Sequence, residues 1–121
     1  MRPKDQGTAF ETELVKKFRN AGLQSRRLPE GGIYDEGDIL LFDRRGGDYL
    51  IEAKARAAGN PHRWLHAAKE KASNGQVYPV ALIWKRLTRK TPDQQRRTPD
   101  GERVIVCIDL DTFIRLLGGE P

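Results

Sequence analysis

The sequence predicts an α/β fold, a mixed β-sheet flanked by helices in the order α-β-β-α-β-β-α. Three observations carry this. Two segments, Thr8 to Gly22 and Asn60 to Gly75, space their apolar residues at helical intervals. The stretch GDILLFDRRGGDYLIEAKAR, residues 37–56, sets two apolar runs on either side of a tight turn. Two later runs, Val80 to Trp84 and Val104 to Ile108, are continuously apolar, as strands covered on both faces are. Runs of strand and helix in this alternation pack as helices on a sheet. At 121 residues the chain is one domain, 1–121, with a single modest core.

In the first helix Phe10, Leu14, Val15 and Phe18 share a face, with Lys16, Lys17 and Arg19 outside and Gly22 as the stop. The second and third elements, Ile39 to Phe42 and Tyr49 to Ala53, form a hairpin, with room for an extra short strand before Asp38. Asn60-Pro61 opens the second helix, whose stripe is Trp64, Leu65, Ala68 and Ala72. The segment KRLTRKTPDQQRRTPDGER, residues 85–103, is a long basic loop. Asp109 or Asp111 caps a last helix carrying Phe113, Ile114, Leu116 and Leu117, which Gly118 ends. The single cysteine, Cys107, excludes disulfides and cysteine-based zinc sites within one chain and is expected in the core.

Lys and Arg number 22 against 17 Asp and Glu, a net charge of +5 with a pI near 9.6. Such a balance favours a polyanionic partner, foremost nucleic acid. No stretch resembles a signal peptide or approaches the length of a membrane span. The expectation is a soluble, intracellular, cytoplasmic protein with no membrane partner and no small-molecule cofactor.

The hairpin places acids where a buried strand normally has none. Alternation puts Glu52 and Lys54 on one face with Leu50, and Ala53 on the other. A three-residue loop, Arg44-Arg45-Gly46, with glycine left-handed at its last position, sets Asp38 directly opposite Glu52. Two unit charges about 4 Å apart repel by about 4 kcal/mol at an effective dielectric near 20. Lys54 offers one compensating charge, and a divalent metal with hard oxygen ligands offers two more. An exposed edge strand with solvated charges is the alternative, against which stand the apolar surroundings ILLF and YLI. Glu11 lies on the apolar stripe of the first helix, whereas Glu13 projects away. By itself, Thr8-x-x-Glu11 reads best as a capping box. His62 and His66 are one turn apart, but with no third ligand they read as DNA contacts or plain surface.

Together, Glu11 on a first helix, the Asp38 hairpin and Glu52-Ala53-Lys54 resemble the PD-(D/E)XK nuclease superfamily. Within it, GTAFETELVKKFRNAGL is similar to the opening helix of the archaeal-type Holliday junction resolvases. The resemblance runs from about Gly7 to Trp84 and extends more loosely to the final strand and helix. It implies a restriction-endonuclease-like core and Mg²⁺-dependent hydrolysis of DNA phosphodiesters, with Mn²⁺ able to substitute. Asp38 and Glu52 would be metal ligands, with the Ala53 carbonyl as a further one. Glu11 would bind or orient the metal site through water, and Lys54 would orient or help deprotonate the attacking water and steady charge on the phosphate. Gly37 stands where the superfamily's proline would be, and RRLPEGGIYDEG lacks the serine that the resolvases carry there. Asp35 and Glu36 are further candidate ligands in that loop.

The substrate expected from the resemblance is branched DNA, cut by a homodimer because two symmetric incisions need two sites. Arg26, Arg27, Arg44, Arg45, Arg56, Arg63, Lys85 and Arg86 are the expected phosphate contacts. Nucleases of this size are often phage-encoded and act in a bacterial host. Two other functions stay open: a repair, replication-repair or restriction-like nuclease acting on flaps, nicks or duplex, and a non-catalytic nucleic-acid-binding module.

Overall fold

The first helix begins earlier than its capping pattern suggests. In the computed structural model, which describes residues 3–28, 38–73, 79–87 and 103–121, α1 spans Pro3–Asn20. Position 8 therefore lies inside the helix, where its backbone N–H has an intrahelical partner within reach, and the capping box at Thr8 and Glu11 is ruled out. Phe10, Leu14 and Val15 are buried as their spacing requires, and Phe18 is half-buried.

A short strand, β1 (Gln24–Arg27), follows. Its sequence QSRR has no apolar residue, and polar bonds hold it instead. The Ser25 hydroxyl donates to the Val15 carbonyl at 3.3 Å, and Arg19 donates to the Ser25 carbonyl at 3.0 Å. β2 (Asp38–Phe42) and β3 (Asp48–Arg56) form the hairpin, pairing Asp38 with Glu52 and Phe42 with Asp48. The loop is Arg44-Arg45-Gly46, with Gly46 at φ 88°, a left-handed backbone that residues with a Cβ rarely adopt. Asp43 fastens it, accepting from the Gly47 N–H at 2.7 Å, the Arg45 N–H at 2.8 Å and the Tyr49 hydroxyl at 3.0 Å. These bonds, that of Gly47 foremost, hold the Asp43 carboxyl below its usual range.

α2 (Pro61–Ser73) starts where Asn60 accepts from the Arg63 N–H at 3.2 Å. It carries the chain over to β4 (Val80–Arg86), parallel to β3, and β5 (Val104–Cys107) pairs antiparallel at the edge. The sheet order is β1-β2-β3-β4-β5. α3 (Leu110–Leu116) closes the described chain. The architecture is thus α/β, a five-stranded mixed sheet with three helices among the described residues. No described helix is long and apolar enough to cross a membrane.

Parity along the strands splits the core in two. Ile39, Ile51, Ala53, Ala55, Ala81 and Ile83 face α1, whereas Leu40, Leu50 and Val80 join Ala68 of α2 on the other side. Val80 to Ile83 is buried throughout, as a strand in the middle of a sheet demands. β5 departs from expectation. It is an edge strand with Ile105 46 % and Val106 61 % exposed, because only one neighbour and no helix covers it among the described residues. Cys107 is half-buried, not core, for the same reason. Phe113, Leu116 and Leu117 are likewise exposed, and within α3 only Thr112 is buried.

Asp109 is the N-cap of α3, accepting from the Thr112 N–H at 2.8 Å and from the Lys69 ammonium of α2. Lys69 first, then Thr112, brings its carboxyl down to about 2. A lowered folded value stabilises above the unfolded value of about 3.9, and that contribution is lost as pH falls from there through 2. Asp109→Ala is expected to cost about 1 kcal/mol at pH 7, mostly as the lost cap, since the half-exposed ion pair is screened. Urea midpoints of the two proteins should differ at pH 7 and converge towards pH 2.

Candidate active site

Glu52 is the least ordinary side chain of the sheet. It occupies the middle of the central strand β3, with β2 hydrogen-bonded on one side and β4 on the other, and its side chain is only 2 % exposed. Among the described residues, neither Oε1 nor Oε2 has a hydrogen-bond partner. An ionised carboxylate can accept about four hydrogen bonds, and leaving it dry and unbonded costs several kcal/mol. The Lys54 ammonium stands 3.3 Å from Oε1, near enough for charge pairing but without the alignment of a hydrogen bond. Lys54 is itself 23 % exposed, so it retains water while Glu52 does not.

Asp38 is the register partner of Glu52 and shares its face of the sheet by parity. Directly paired residues of antiparallel strands have Cβ atoms about 4.5 to 5.5 Å apart, and like charges there are destabilising. By register and parity, positions 38, 52 and 54 therefore fall on one face of the sheet, the α2 side. On the opposite strand, Leu82 is the neighbour of Glu52 and Trp84 that of Lys54. Leu82 is fully buried there, and Trp84 is half-exposed.

Glu11 is buried, as its place on the stripe of α1 predicts, but it is not brought to Glu52. Arg27, whose parity puts it on the α1 face beside Ile39, holds Glu11 Oε2 at 2.8 Å from Nε and 2.6 Å from Nη2. Glu13 points outward and meets Lys85 at 3.1 Å. Among the described side chains no group of three His, Cys, Asp or Glu residues is arranged to hold a metal. His66 pairs instead with Glu70 at 3.0 Å on the exposed face of α2. Asp35 and Glu36, and the loop cations between residues 88 and 102, lie outside the described residues.

The candidate phosphate contacts fall into three groups. Arg56, Arg63 and Arg86 are exposed around the Lys54 end of β3, and Arg56 and Arg86 are register neighbours there. Arg44 and Arg45 are exposed in the hairpin turn, about 20 Å along the strand from Glu52 at about 3.3 Å per residue. Arg26 is exposed on β1, while Arg27 and Lys85 are engaged with Glu11 and Glu13. Lys85 also lies over the Phe10 ring at 5.7 Å.

Two neighbours of the site are not evident in the sequence. Trp64 of α2 lies under the Lys54 ammonium, 5.9 Å from ring centroid to Nζ. Trp84 meets Trp64 edge to face at 5.2 Å. The pairing of Trp84 with Lys54 depends on the β3–β4 register, which a helical crossover sets at long range and no local pattern reveals. No protein-family model matches the chain, and no curated protein matches it in sequence.

Proposed function

We propose that the chain is a metal-dependent DNA endonuclease that hydrolyses phosphodiester bonds, built on a restriction-endonuclease-like core. The observation that carries this reading is the Glu52 carboxylate, buried, without a hydrogen bond among the described residues, beside Lys54 and paired in register with Asp38. A fold tolerates that cost where a cation repays it, and a hard divalent ion with carboxylate ligands does so. Asp38, Glu52 and the Ala53 carbonyl would hold Mg²⁺ or Mn²⁺. When bound, such an ion lowers the pKa of a bound water and steadies charge on the phosphate. Lys54, anchored by Glu52 and half-open to solvent, orients the attacking water and offsets the charge that builds on the phosphate oxygens. Glu11, neutralised by Arg27, acts on the site at most indirectly. Arg56 and Arg86 support a polyanionic substrate, since two cations paired across strands repel until phosphates lie between them.

Within this reading the favoured substrate is a Holliday junction or other branched DNA, and the working unit is a homodimer. The exposed apolar side chains of the β5 edge, Ile105 and Val106, and those of α3, Leu110, Phe113 and Leu117, support self-association. A cytoplasmic place, in a bacterial host for a phage-encoded chain, goes with this function.

The test is cleavage of a labelled four-way junction beside linear duplex, flap and single strand, in Mg²⁺ or in EDTA, with the mass in solution measured by light scattering. Paired symmetric cuts confined to the junction, in Mg²⁺ only and from a particle of twice 13.7 kDa, are expected. Cuts in flap or duplex instead would keep the nuclease and remove the junction. No cut under any divalent ion would leave a nucleic-acid-binding module.

A further inference from the structure

The chain has two tryptophans, and the fold brings them together at the candidate site. Neither Trp64 nor Trp84 belongs to the cluster on either face of the sheet, and both are half-exposed. Tryptophan carries the largest apolar surface of any side chain, so a pair serving only to bind α2 to the sheet would be expected inside one of those clusters. Both rings are nonetheless held in place. The Trp84 indole N–H donates to the Arg56 carbonyl at 2.9 Å. Gly59 runs so close to Trp64 that a Cβ there would collide with the ring. The planes cross at 82°, an edge-to-face contact in which the two rings are not stacked on one another. Lys54 stands over Trp64 at 5.9 Å, so the ammonium and the aromatic pair lie within the span of one nucleotide.

We propose that Trp64 and Trp84 form a stacking platform for one unpaired nucleobase of the strand whose phosphate meets Lys54. This rests on the nuclease reading and narrows its substrate to nucleic acid in which one nucleotide at the scissile phosphate is unpaired, as in a flap, or is unpaired on binding at the branch point of a junction. A continuous duplex keeps its bases stacked on one another and offers none. Stacking on indole is indifferent to base identity because every base has a π-face, so the platform selects structure and not sequence.

The two tryptophans supply all the tryptophan emission of the protein, so fluorescence reports on this pair alone. The wild-type protein in EDTA is titrated with a labelled flap carrying unpaired bases at the branch, with the same flap made abasic there, and with continuous duplex. Anisotropy of the label gives affinity. The expected result is quenching by the base-bearing flap only, and about tenfold weaker binding of the abasic one. Trp84→Leu should bind the two flaps equally, with a melting curve to show that it is folded; the wild-type comparison stands even if it is not. Equal binding and no quenching by a DNA that binds would overturn the platform and leave the nuclease reading intact. Failure to bind any of the DNAs would overturn both.

Discussion

Glu52→Gln is expected to abolish metal-dependent cleavage, by about 10³-fold or more, and at the same time to make the metal-free protein more stable. The two effects have one source. In the folded chain this carboxylate is buried with both oxygens unbonded, so the charge that would anchor a metal opposes folding whenever the metal is absent. An amide of the same shape loses the charge and most of the desolvation cost, worth about 1 to 2 kcal/mol. That corresponds to a rise in Tm of roughly 3 to 8 °C for a domain of this size. Lys54 loses its partner but, at 23 % exposure, keeps its water and pays little. Added Mg²⁺ should raise the Tm of the wild type by mass action and leave Glu52→Gln where it is. Thermal melts of both proteins in EDTA and in Mg²⁺ decide it. A variant that is destabilised and still cuts DNA would make Glu52 a structural partner of Lys54 and nothing more.

What could be read in the sequence was what short-range rules determine. Side-chain alternation and the geometry of a three-residue loop with glycine at its end suffice to predict that Asp38 pairs with Glu52, and the register has that pairing with Gly46 left-handed. Asn60 and Asp109 as caps, and the stripe of Phe10, Leu14 and Val15, follow from local chemistry in the same way. The start of α1 does not, because nothing before Thr8 carries an apolar stripe, although the helix begins at Pro3. β1 is held by Ser25 and Arg19 through α1, contacts that a polar tetrapeptide does not advertise. The apolar run Val104 to Ile108 reads like a buried strand, yet its exposure depends on how many strands lie beyond it, a property of the whole sheet. The same holds at the site. That Glu11 faces inward was legible from its helical position, but not that Arg27 would claim it, since their encounter depends on the order of β1 and β2 beneath α1.

Leu82→Ala should cost less than Leu50→Ala, although both leucines are fully buried in the middle of the sheet. Leu50 lies between Leu40 and Val80 in register, and removing it leaves an apolar cavity, for which about 3 to 4 kcal/mol is expected. Leu82 adjoins Glu52 instead. A cavity bordered by a carboxylate that has no hydrogen bond is polar enough to admit water. That water would give Glu52 a partner it lacks, returning part of the loss and bringing the cost to about 2 kcal/mol. The double variant isolates this term: in the Glu52→Gln background, where an amide gains less from water than a charge does, Leu82→Ala should cost about 1 kcal/mol more than it does alone. Urea denaturation of the four proteins of the cycle, all in EDTA, measures it. A coupling near zero would mean that water already reaches Glu52 and that the carboxylate is not held dry for a cation. A coupling of the expected sign would mean that Leu82 excludes water from Glu52, so that an apolar neighbour sets how costly the buried carboxylate is to the fold.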